Sequence, residues 1–518
     1  MAKRYTFARV TCCKESLSAI MKEGYSLPKS LLLLAEIAVF AVLAVVASSH
    51  FGWADGARIT AAYLVAYLVP RFILSRARGT SLTAATILFL ISTLLITANY
   101  TNLLVWTSVE GYSLELPNLE GDARNYYRWA LAHYDHRFAA PNVVYPGFPL
   151  LMVALWKVFG LSVIWPQAMN LMFTLTSVVL TGMTTERLLN HRVSVPQKAL
   201  LSGGILLSCV LTFCLINGIN ILKEASTYLA LSLAGYVLAS MAGADNERDI
   251  RMRDLVLFVL ACTLMTLIRT TTLYFIALGV VIMTFPNWRR NWRTALMMLG
   301  VVLVFFVIGE YYSNDTFNRH SRIVNGGWHM QWTFAEEDAY RSLYNYVIGY
   351  YYLYSPIHRL SLLPFTLSVQ FIIPFPWLNH EDPTFANYIC RISYGWYLLG
   401  GISLFYYLYT WWHKRGSMGA WPWWPAVSYV VITYALAGSM TRYIAPFEPL
   451  FVPVAVFVLC RLREGRFRRA FTIWGICFVV LVAITLLLCL ELQQNAISKM
   501  LHTQPLIHYL KDLIFQLL

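Results

Sequence analysis

The sequence predicts an all-α polytopic membrane protein, with about thirteen transmembrane helices and two large non-cytosolic loops that carry interfacial helices. Three observations predict it. Of 518 residues, 58% are hydrophobic and only 13% charged, and mean hydropathy is +0.56. Soluble domains carry roughly 25% charged residues, so this chain lacks the polar groups to cover a globular surface. The apolar residues also fall in long runs, and a run of about 18 or more with few charges has the length of a membrane-spanning helix. A barrel would need short alternating strands instead.

The net charge is +14. Lys and Arg sit mostly in short loops between apolar runs, which is orientation chemistry. The 17 Trp, 32 Tyr and 29 Phe suit membrane interfaces and a crowded polar cavity. They are not interleaved with basic residues as a nucleic-acid platform requires, so no nucleic acid is expected. Of the nine Cys, Cys209, Cys214, Cys262, Cys477 and Cys489 lie in apolar runs and read as small core residues. Cys12 and Cys13 fall in the basic N-terminal segment, expected to be cytosolic and reduced. No CxxC pair marks a metal or redox site. The N-terminus does not read as a signal peptide.

The basic residues Lys3, Arg4, Arg9, Lys14, Lys22 and Lys29 place the N-terminus inside. Spans near 30–49 and 58–75 form a hairpin returning to Arg71, Arg76 and Arg78. A third, near 81–106, leads out to a polar stretch, 108–149. The segment YPGFPLLMVALWKVFG at 145–160 is apolar, short and opened by prolines. It reads as a helix at the outer interface, because counting it as a span would put Arg187, His191, Arg192 and Lys198 outside. Further spans near 163–186, 199–219, 226–243, 254–269, 272–286 and 294–312 keep the loops 245–253 and Arg289–Arg293 inside. A second outer stretch covers 313–391, broken by Pro356, Pro364, Pro374 and Pro376, with 361–378 a further interfacial or re-entrant candidate. Spans near 392–411, 423–440, 445–460 and 470–491 complete the bundle and leave the tail outside. Every strongly basic short loop then lies on one side. No internal repeat is evident.

Unusual polar groups cluster at the outer edge. Asp122, in Glu120-Gly121-Asp122, stands where a general base would meet a lipid-linked substrate. It equally suits the cap of a helix at 123–133. Lys223 and Glu224 sit at the second outer turn, one and two helical turns after Asn220 and Asn217. They read as a boundary ion pair or as site residues. Arg269, followed by Thr270, Thr271 and Thr272, interrupts about thirty apolar residues. It is a phosphate-binding candidate, since its planar fork gives bidentate hydrogen bonds, or an arginine snorkelling outward. Arg442-Tyr443 precedes Pro446, Glu448 and Pro449. Those prolines suit a helix's first turn, and Arg442 either faces the outer cavity or is anchored to Glu448. His133 and His136 lack a third clear ligand, so no metal site is read. Glu336-Glu337-Asp338 reads as a solvated run, and Asn314–Thr316 matches a glycosylation sequon. No glycine loop or nucleotide signature is present.

An outward helix, then an acidic loop with Tyr126 close behind Asp122, then the 145–160 segment and a span ending in basic residues, resembles the GT-C glycosyltransferases. These include the protein mannosyltransferase and lipid A aminoarabinose transferase families. The resemblance covers roughly residues 81–460, with two spans before the acidic loop where the family usually has one. It implies a lipid-linked-sugar-dependent, inverting transferase. The donor is a polyprenyl-phosphate sugar, the acceptor a glycan, lipid or protein, and membrane lipids surround the chain. Asp122 matches the essential acidic residue, with Glu224 assisting in catalysis. Arg442, Arg269 and Lys223 would hold the phosphate, and Tyr126, Tyr443 and Glu448 the substrate. No cofactor is certain, and a divalent cation is left open. The expected organisation is an N-terminal segment and extra hairpin (1–80), a transmembrane core with its catalytic loop at 107–162 (81–312), a second outer loop (313–391) and C-terminal helices with an outer tail (392–518). The expected location is a bacterial inner membrane. A polysaccharide polymerase or ligase is one rival reading, and a transporter or flippase another.

Overall fold

Backbone polar groups removed from water must bond within the chain, and an apolar run does this most simply as a helix. A computed structural model describes residues 29–119, 121–135, 147–210, 221–241, 251–312, 360, 363–364, 367, 394–413, 418–436, 445–465 and 467–480. Among the described residues every regular element is helical and none is a strand. Among the described residues, five helices are long and apolar enough to cross a membrane.

The first helical element, α1 (Lys29–Ser75), has 47 residues. Straight, it would run about 70 Å, twice the hydrocarbon thickness. Gly52, at φ 81°, breaks it, a conformation open to glycine at little cost. The two arms fold back on each other. Tyr67 donates to Glu36, and Arg71 Nε reaches the same carboxylate at 3.2 Å. This is the hairpin expected at 30–49 and 58–75.

Helix α2 (Leu82–Thr107) is capped by Ser81, whose hydroxyl accepts from Ala84 N at 3.1 Å. Then come α3 (Gly121–Asp135), α4 (Gly147–Phe159), α5 (Ile164–Leu189), α6 (Gln197–Val210), α7 (Glu224–Leu238) and α8 (Met252–Ile268). A 3-10 turn, Thr270–Thr272, joins α8 to α9 (Leu273–Thr284), followed by α10 (Trp288–Tyr312). After these lie α11 (Tyr394–His413), α12 (Trp423–Leu436) and α13 (Glu448–Arg463), and 468–480 is also helical. Apart from α3, which lies in the polar stretch where the sequence predicts a helix at 123–133, each falls on an expected apolar run. At 13 residues, α4 rises only about 20 Å, too short for the bilayer core.

Helix α5 is the hub. Its N-terminal half packs in a core with α1 to α4 and parts of α6 and α7, its C-terminal half in a second core with α7 to α13. It runs parallel to α7, because Asn170 Nδ2 donates to Leu222 O at 2.8 Å and Thr181 meets Ser232 at 3.5 Å farther along both helices. Large apolar side chains remain exposed on α1 (Leu33, Val45) and α10 (Leu303, Val307). Exposed apolar faces on helices of this length suggest a membrane protein.

Loops expected on the inner side do meet at one end. Arg187 bridges to Asp254 at 3.5 Å and donates to Tyr236 O at 2.9 Å. Glu464 accepts from Ser194 N at 3.0 Å and from Arg461 at 2.6 Å. Arg461 also donates to Arg192 O at 2.8 Å.

Two sequence expectations are corrected. Asp122 does not precede its helix as a cap but lies inside the first turn, because α3 begins at Gly121. Cys477 is exposed rather than a core residue, while Cys262 is buried. Nearly all of 313–391, with the sequon and the acidic run, lies outside the described residues, as do Cys209's side chain, Cys214, Cys489 and the tail.

Candidate functional site

At the end of the bundle away from the basic loops, four chain segments converge. The first is the start of α3. Gly121 has φ 55° and turns the chain into the helix. Asp122 follows in the first turn, where a negative charge complements the helix dipole. Tyr126 lies four residues on and therefore on the same face. It is 7% exposed.

The Tyr126 ring touches both α4 and the residue that precedes α7. Its edge packs on Phe148 of α4, centroids 5.7 Å apart. Over it lies the ammonium of Lys223, 5.6 Å from the ring centre, within the range of a cation–π interaction. Lys223 is the residue that precedes α7, and Glu224 opens that helix with 2% exposure. The Asn170 amide holds the Leu222 carbonyl just upstream. Asn170 belongs to a set of buried amides at this level. Gln167 Nε2 donates to Asn99 O at 3.1 Å and its carbonyl accepts from Tyr63 at 2.7 Å.

Helix α4 links this group to α8. Gly147 lies so close to Leu267 that a Cβ there would stand 1.8 Å from the Leu267 carbonyl oxygen. Leu267 comes just before Arg269, which ends α8 in an extended conformation and is half-buried. Thr270 and Thr272 behind it are buried. Asp122, Tyr126, Lys223, Glu224 and Arg269 thus gather at one end of the bundle through packing of α3 on α4, the Lys223–Tyr126 contact and the close approach of α4 to α8.

The segment 108–119 is fastened to the same place. Tyr127 donates to Glu115 O at 2.8 Å and packs on Trp156 at 4.9 Å. Burial, then the Glu115 charge, push its phenol above the ordinary range, so it serves as a donor.

Glu448 opens α13 as expected, with Pro449 in the first turn and 0% exposure. It lies apart from the group above. Leu450 packs at Gly235, roughly 16 Å along α7 from Glu224. Phe447 stacks edge-on against Phe275 at 4.7 Å. Arg442 and Tyr443 lie outside the described residues, as do Asn217 and Asn220. His133 stacks on Trp129 at 3.6 Å, and His136 is outside the described residues. No three potential metal ligands cluster among the described residues.

Sequence reasoning did not single out Phe148, Gly147 or Asn170. Of these only Asn170 left a signal, as an amide inside an apolar run where unpartnered polar groups are costly. Chemically, the assembled group offers two carboxylates at helix starts, Asp122 and Glu224, an ammonium held over a ring and a guanidinium at a helix break. Such a set can accept a proton and neutralise an anion. Comparison with family models, with curated proteins and with solved structures finds no match to this chain.

Proposed function

We propose that the chain is a membrane-embedded glycosyltransferase that moves a sugar from a polyprenyl-phosphate donor to an acceptor on the non-cytosolic side, with inversion. The observation that carries the reading is the Lys223–Tyr126 contact, which brings a cation beside the helix turn bearing Asp122. In this mechanism Asp122 takes the proton from the acceptor hydroxyl as that oxygen attacks the anomeric carbon. The bond from that carbon to the phosphate oxygen breaks, and the phosphate leaves with the electron pair. Lys223 and Arg269 stabilise the departing charge, joined by Arg442. Electrostatic stabilisation of this kind is usually the largest catalytic term. Glu224, enclosed at the start of α7, orients the Asp122 environment. Tyr126 acts by holding Lys223, and Tyr443 is assigned to substrate binding, whereas Glu448 lies apart from this group. The membrane is a bacterial inner membrane with the N-terminus in the cytosol, and about thirteen spans follow from the basic-loop pattern.

Asp122→Asn tests this in proteoliposomes supplied with a polyprenyl-phosphate sugar. A folded variant is expected to lose roughly a hundred- to ten-thousand-fold in transfer rate. Unchanged transfer would remove Asp122 from the mechanism.

A transporter is the second reading. It is favoured by Glu224 and Glu448, two carboxylates enclosed at helix starts, and by the helix break at Thr270–Thr272. Counterflow of a labelled glycolipid without any product formation would support it over the enzyme.

A further inference from the structure

One face of α10 combines apolar and basic groups in a way the proposed transfer reaction does not use. Leu296, Leu303 and Val307 are exposed along it. With 100° per residue, Arg289 and Arg293 fall on that same stripe, below Leu296, and both are exposed. Phe285, Trp288 and Trp292, also exposed, flank them. The Arg293 guanidinium lies 5.4 Å from the Trp292 ring centre.

The charges here are one-sided. No Asp or Glu occurs from Phe285 to Gly309, and neither Arg289 nor Arg293 forms an ion pair among the described residues. Two like charges four residues apart repel on a helix surface. A phosphate between them converts that repulsion into two charge-assisted contacts. The exposed stripe from Leu296 to Tyr311 is about 22 Å long, enough to lie against an acyl chain through one leaflet. An acyl chain on that stripe sets its headgroup at the two arginines, and the tryptophans take the interface positions such rings prefer.

We infer that this face is a binding site for an anionic phospholipid, its acyl chains on Leu296, Leu303 and Val307 and its phosphate between Arg289 and Arg293. The occupant is a bilayer lipid rather than free phosphate, because the apolar stripe continues directly from the basic pair. The inference does not depend on transfer chemistry.

The test is native mass spectrometry and thermal melting of the full chain with added phosphatidylglycerol or phosphatidylcholine. Wild type is expected to retain phosphatidylglycerol and to gain more melting temperature from it than from phosphatidylcholine. The double variant Arg289→Gln with Arg293→Gln is expected to bind phosphatidylglycerol roughly thirtyfold more weakly, with phosphatidylcholine retention unchanged. Arg58→Gln, on α1 and paired to Asp55, is expected to behave as wild type. Equal retention of the two lipids by wild type overturns the site, a result that does not require the variant to fold. Equal phosphatidylglycerol binding by wild type and the double variant overturns it too. Stabilisation of wild type by inorganic phosphate alone, matching that by the lipid, overturns the assignment to a bilayer lipid.

Discussion

The ammonium of Lys223 stands 5.6 Å from the centre of the Tyr126 ring. This contact ties the residue preceding α7 to the helix that carries Asp122 one turn earlier. A partly desolvated cation–π contact contributes about 0.5–2 kcal/mol. Tyr126→Leu is therefore expected to weaken binding of a polyprenyl phosphate by roughly two- to thirtyfold, and Tyr126→Phe, which keeps the ring, much less. Titration of farnesyl phosphate against the protein in nanodiscs reads the difference. Equal affinity for Leu and wild type would mean that Tyr126 does not hold Lys223.

Gly147 permits the contact of α4 with α8. A methyl group at 147 would overlap the Leu267 carbonyl, and backbone has to shift to admit it. Gly147→Ala is expected to cost about 1–3 kcal/mol and to lower the melting temperature. Gly203, with nothing within 4 Å of a built Cβ, is the control, and Gly203→Ala is expected to leave melting unchanged or raise it. A Gly147→Ala protein as stable as wild type contradicts the close approach.

The helices were legible because hydropathy and length are local properties. The α1 hairpin follows from two apolar arms and the basic residues at their ends, and α4 from a short apolar segment opened by prolines. Sequence also singled out Asp122, Lys223 and Arg269, since charge is rare in spans, and the structure places all three at helix ends. What it could not supply is long-range contact. Nothing local to Gly147 signals Leu267, and nothing at Tyr126 distinguishes a ring that meets substrate from one covered by Lys223. Asp122 was readable as a cap because Asp favours that position, yet the positive φ of Gly121 starts the helix one residue earlier. The same limit hid the depth of Glu448, which depends on where Leu450 meets Gly235.

Glu464 provides a pH test at the opposite end. The Ser194 backbone N–H, with Arg461 and the Ser194 hydroxyl also bonded to it, holds its carboxyl at about 2, below the usual 4.5. A depressed folded value means the stabilisation is complete above about pH 4.5 and is lost as pH falls through about 2. Glu464→Gln is expected to melt below wild type at pH 7, with the gap narrowing between pH 4.5 and 2. A gap that stays constant over this range contradicts the clamp.

The most direct measurement is a cryo-electron microscopy map of the protein in nanodiscs saturated with a short-chain polyprenyl phosphate. The phosphate is expected within about 4 Å, ion-pair reach, of Lys223 or Arg269, on the side of the Tyr126 ring nearest Asp122. A phosphate lodged instead at the end of the bundle bearing Arg187 and Glu464, or on the lipid-facing side of α1, would contradict a shared site for the carboxylate and the cations.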